Sequence, residues 1–156
     1  MRSILLIDHG SVRAEANHML ACVANLLQSM VGDDVLVRHA HMELAEPSIA
    51  AGFAACVRDG ATDVVAFPYM LSPGKHSTRD IPRMVAEAAA PFPRVTYRVT
   101  EAFGVSALLC EVIARRAGVD VVRAATDDDA CRCWNTNGRV GECGAACTGR
   151  AAEAIT

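Results

Sequence analysis

The 156 residues suffice for one domain with a sizeable core and are too few for two of ordinary size. Hydrophobic residues make up 52% and charged residues 21%, which excludes a disordered chain, while aromatics at 4% leave little for base-stacking platforms. The net charge of -3 argues against nucleic acid or an anionic membrane as partner, and no apolar run reaches the ~20 residues of a membrane span, so the expected address is the cytoplasm.

In chain order, Ser3 to Ile7 is a short apolar run that ends at Asp8-His9-Gly10 and predicts a buried strand. Ala14 to Met30 predicts a helix, with Met19, Cys22, Val23, Leu26, Leu27 and Met30 expected on one face. Asp33-Asp34 breaks that pattern before a second strand, Val35 to Ala40. A second helix is expected to start at Glu46-Pro47-Ser48, with Pro in the first turn, and to stop at Gly60. Asp63 to Phe67 predicts a third strand, bounded by Pro68. Tyr69 to His76 has the composition of a loop, and Thr78 to Ala90 predicts a third helix with Asp80 and Pro82 near its start. Val95 to Val99 is the fourth strand and Gly104 to Ala117 the fourth helix. Four strand–helix alternations imply a parallel sheet with helices on both faces. The expected architecture is a small doubly wound α/β domain over residues 1–123, followed by a Cys-rich tail over 124–156.

Open parallel sheets bind ligands beyond the carboxyl ends of their strands. His9 follows the first strand, His39, His41 and Glu43 the second, and Pro68 with the loop ending at His76 the third. Four of the five histidines are therefore expected on one rim, with His18 set apart on a helix. Nucleotide binding fits poorly, because Gly10-Ser11 supplies one glycine and one hydroxyl where a phosphate cradle needs several. A serine hydrolase fits no better, since Ser11 lacks the G-x-S-x-G frame. Neutral imidazoles with one carboxylate suit a divalent first-row metal.

The segments Leu5-Leu6-Ile7-Asp8-His9-Gly10-Ser11, Met42 to Ile49, and Pro68 to His76 with Asp80-Ile81-Pro82 downstream resemble the short sirohydrochlorin chelatases of the CbiX/SirB type. The resemblance covers most of residues 3–120. It implies insertion of Co2+, Fe2+ or Ni2+ into sirohydrochlorin, on the way to cobalamin or siroheme cofactors. It assigns His9 as metal ligand and proton acceptor, His76 as second ligand, and Glu43 to the same site as ligand and catalytic carboxylate. Glu46 and the loop Met70, Leu71, Ser72, Pro73, Gly74 and Lys75 match substrate contacts, and a homodimer is implied. Lys75, Arg13 and Arg79 are candidate partners for substrate carboxylates. Asp8 departs from the family's usual small residue and is expected to orient His9 or alter metal preference. A metal chaperone or tetrapyrrole carrier without turnover is the rival reading.

Among the seven cysteines, Cys22, Cys56 and Cys110 read as small core residues. Cys131, Cys133, Cys143 and Cys147 form a separate group, with thiols enough for an iron–sulfur cluster or zinc but in no standard spacing.

Overall fold

A computed structural model describes residues 1–122. The four tail cysteines lie outside the described residues. The chain divides into two compact units, Met1–Ala102 and Phe103–Thr156. The first carries β1 (Arg2–Asp8), α1 (Ala14–Met30), β2 (Val35–His41), α2 (Ile49–Arg58), β3 (Asp63–Pro68), a π turn (His76–Asp80), α3 (Ile81–Ala89) and β4 (Thr96–Val99). The second carries α4 (Ala107–Arg116), none of whose residues is buried.

The four strands form one parallel sheet in the order β2-β1-β3-β4. Alternation along β1 divides its side chains between two cores. Leu5 and Ile7 join Ala40, Ile49, Phe53, Cys56, Val64, Ile81 and Val85 beneath α2 and α3. Leu6 packs with Val37, Leu20 and Ala24 beneath α1. Helices therefore cover both faces of the sheet, as strand–helix alternation demands. Gly52 lets α2 approach closely, since a Cβ there would stand 2.9 Å from that of Ala40 and 3.0 Å from Leu5 Cδ1.

Two expectations about side chains are corrected. In α1 the core is reached by Leu20 and Ala24, with Val23 and Leu27 at the margin, while Met19, Leu26 and Met30 are exposed. A single helix covering β1 and β2 has only one narrow stripe to bury, so the wider apolar pattern spills onto the outer surface. Cys22 and Cys110 are likewise exposed, and of the three cysteines among the described residues only Cys56 is buried. There burial holds the thiol above its ordinary range.

Local starts also differ from expectation. The Glu46-Pro47 bond is cis and α2 begins after it, at Ile49, with the Ser48 hydroxyl accepting the Ala51 N–H 3.3 Å away. His76, expected at the end of a loop, opens a π turn that runs straight into α3.

Candidate metal centre at the carboxyl edge of the sheet

The β1–β2 pairing does not stop at the strand ends. The Met42 N–H donates to Asp8 O over 2.9 Å and the Glu43 N–H to His9 O over 3.1 Å. This puts His9 and Glu43 side by side on two turns that leave adjacent strands. Gly10 makes the juxtaposition possible: its φ is +84°, and a Cβ would run into the Glu43 carbonyl oxygen. Leu44, next after Glu43, also takes a positive φ of 65°, which a branched apolar side chain adopts rarely. Asn17 of α1 fastens the far side of the His9 turn, accepting the Ser11 N–H at 2.9 Å and donating to Ser11 O at 2.7 Å.

On this frame His9 Nε2 lies 2.9 Å from Glu43 Oε1, with both side chains about half exposed at 44% and 53%. Its Nδ1 is 3.3 Å from Gly10 O. The ring of His76 stands edge-on to that of His9, with centroids 5.2 Å apart and planes at 71°.

His76 comes from the π turn after β3. Gly74 O accepts both the N–H and the hydroxyl of Thr78, at 2.9 and 2.8 Å, and the Gly74 N–H donates to the buried Ser77 hydroxyl at 2.9 Å. The turn closes when the Ile81 N–H reaches back five residues to His76 O. The i, i+4 spacing brings His76 Nδ1 to 3.1 Å from Asp80 Oδ2, while Asp80 Oδ1 lies 3.2 Å from Arg79 Nε. Desolvation acts to raise the Asp80 carboxyl, but the hydrogen bonds from Arg79 and His76 and the charges of Arg79 and Lys75 together hold the group below the ordinary carboxylate range.

Asp8 supports the turn that carries His9 and also binds a second histidine. Its Oδ1 accepts the Gly10 N–H at 2.9 Å and lies 2.6 Å from Nδ1 of His41, which is only 1% exposed. The two residues are direct partners in the β1–β2 register. Asp8 therefore shapes the turn beneath His9 and carries a buried imidazole. His41 is thereby removed from the accessible rim. His39 sits edge-on to it at 5.8 Å and lines an open groove of about 610 Å³ with Glu15, Asn17, His18 and Glu46. Burial is the main cause that holds His39 below the ordinary imidazole range; the His41 and Arg38 charges add to it and Asp8 opposes it.

With this geometry in place, the CbiX family model matches residues 3–118. The chain belongs to the CbiX family. A chloroplastic sirohydrochlorin ferrochelatase of Arabidopsis thaliana is 40% identical over 86% of this chain and 60% of its own length. A sirohydrochlorin cobaltochelatase of Priestia megaterium is 32% identical over 74% of this chain and 37% of its own. Among solved structures, the sirohydrochlorin chelatase SirB of Bacillus subtilis subspecies spizizenii, in complex with cobalt, superposes with a TM-score of 0.69 at 28% identity. The match covers 75% of this chain and 50% of that one. The chain thus spans about half the length of several relatives it matches.

In this CbiX chain the residues singled out from sequence fall into three places. His9, Glu43 and His76 come together as described. Leu71, Ser72, Gly74 and Lys75 are exposed on the segment that leads into the π turn, whereas Met70 packs against the α2/α3 core and Pro73 is half-buried. Glu46 belongs elsewhere: its carboxylate accepts the Ser48 N–H at 2.7 Å and borders the His18–His39 groove. Among the described residues no three His, Cys, Asp or Glu side chains stand grouped to hold a metal ion as they lie. His9 and Glu43 bond each other, and an ion entering between them must part that contact. Sequence reasoning missed Asp80 and the Asp8–His41 pair. Both had a signal: the i, i+4 interval from His76, and acid and imidazole at matching ends of neighbouring strands.

Proposed function

We propose that this chain inserts a divalent metal ion, Co2+, Fe2+ or Ni2+, into sirohydrochlorin. The supporting observation is the convergence of His9, Glu43 and His76 at the carboxyl edge of the sheet in a CbiX chain. Two imidazoles and one carboxylate bind such an ion while leaving positions for macrocycle nitrogens, whereas a closed set of thiolates would retain it. Insertion expels two pyrrole N–H protons as the dication enters, so charge is conserved and an acceptor is needed nearby. As the ion moves into the macrocycle, the half-exposed His9–Glu43 pair is freed to take one of the two protons, and the other passes to solvent. His9 and Glu43 are the proposed catalytic residues and His76 the second imidazole ligand.

The exposed stretch Leu71 to Lys75 is the proposed contact for the macrocycle rim, with Lys75, Arg13 and Arg79 as cations for its carboxylates. Among the described residues no helix is long and apolar enough to cross a membrane, and we place the chain in the cytoplasm. We further propose that two copies pair, because Met19, Leu26 and Met30 leave α1 with an uncovered apolar stripe. Multiple-turnover formation of metallated sirohydrochlorin, followed by its absorbance with Co2+, Fe2+ and Ni2+ in competition, tests the reading. Stoichiometric uptake without turnover would make the protein a carrier.

A further inference from the structure

An imidazole binds a metal only through the nitrogen that lacks a proton, and the partner of the other nitrogen decides which one that is. The Asp80 carboxylate, acceptor only, faces His76 Nδ1 at 3.1 Å. A hydrogen bond there requires the proton on Nδ1, which leaves Nε2 as the lone-pair nitrogen. Asp80 is itself held in place: Arg79 Nε engages its other oxygen at 3.2 Å, and the π turn fixes the interval between the two residues through the Ile81 N–H to His76 O bond. His76 is 49% exposed while Asp80 is only 19% exposed, so the acceptor is the more buried partner and the ring is open to solvent.

We propose that Asp80 is a positioning residue that sets the Nδ1–H tautomer of His76 and so makes Nε2 its metal-binding atom. The inference rests on the reading of His76 as a metal ligand. Asp80 touches neither ion nor macrocycle in this scheme. Without it the neutral ring is free to carry its proton on either nitrogen, and part of the metal affinity goes to restoring the correct form.

The test uses the full chain with ¹⁵N-labelled histidine. Two-bond proton–nitrogen correlation spectra of the metal-free protein, in mildly alkaline buffer, report the tautomer of His76 directly. The spectra are assigned with a His76→Ala control, and Co2+ titrations give the affinity. Asp80→Ala is expected to lose the Nδ1–H signature and to weaken Co2+ binding about 10–100-fold, the usual cost of removing such a partner. Asp80→Asn, whose amide oxygen still accepts the proton, should keep the tautomer and most of the affinity. A retained Nδ1–H tautomer in Asp80→Ala overturns the proposal, as does Co2+ affinity that His76→Ala weakens but Asp80→Ala does not. If His76→Ala leaves Co2+ binding unchanged, the ligand reading itself falls and the proposal with it.

Discussion

At the scale of single residues, exposure separates chemistry from stability. His9 and His76 are about half exposed and anchor no core, at 44% and 49%. Replacing either with Ala should abolish metal insertion while shifting unfolding stability by no more than about 0.5 kcal/mol, as for other surface changes; parallel turnover assays and thermal melts check both halves. Glu43→Gln should reduce insertion less completely, because water can stand in for one ligand among three, and the deficit should narrow at high metal concentration. Gly10→Ala is expected to be worse than its size suggests. It forces left-handed backbone, costing roughly 1–2 kcal/mol, and drives a methyl into the Glu43 carbonyl, so both the melting temperature and Co2+ affinity should fall. His39 titrates below its ordinary value because burial disfavours its charge, with His41 and Arg38 adding and Asp8 opposing. Between that lowered pKa and the unfolded value near 6.5 the unfolded chain binds more protons, so stability rises with pH across the window and is lost as pH falls through it. Denaturant midpoints between about pH 7 and 5 should decline, and the slope should lessen in His39→Gln.

At the scale of elements, what could be read from sequence follows from how local each signal is. The strands and helices announce themselves by apolar period and by Gly and Pro punctuation, and α1 begins and ends at the residues expected. The three turns that carry His9, Glu43 and His76 follow from the rule that parallel strands present ligands at their carboxyl ends. The covered stripe of α1 did not follow, because periodicity marks apolar positions without saying how wide a surface lies beneath them. His41 was misplaced for a related reason: its position just past the expected end of the second strand put it at the rim, but β2 runs on through it and its pairing with Asp8 across the register drew it inside. The π turn left no trace in composition, since its defining bond from Ile81 to His76 depends on backbone path alone. Packing of α2 offers a direct check. Phe53 is fully buried and its ring lies 6.0 Å from Phe92 and 6.2 Å from Tyr97. Phe53→Ala should therefore cost about 3–5 kcal/mol, measured as a shift in denaturant midpoint.

For the whole molecule, the candidate site lies entirely within the unit Met1–Ala102. A truncation after Arg123 should therefore still fold, bind Co2+ and insert metal; a folded truncation without turnover would give the Cys-rich segment a part in insertion. Sedimentation at micromolar concentration should report a dimer, and a polar substitution such as Leu26→Glu on α1 should shift it toward monomer without unfolding it. The sheet order also has a consequence for synthesis. Of the four strands, β1 leaves the ribosome before the others, yet it is the one that must be paired with both β2 and β3. One edge can close as soon as β2 is made, but the other stays open until residue 68 is available, and such delayed, sequence-distant pairing is slow. His76 emerges later still. The three residues of the cluster are therefore not all available until β1, β2 and β3 have been synthesised, so an ion held by all three could not guide the first pairing of the sheet.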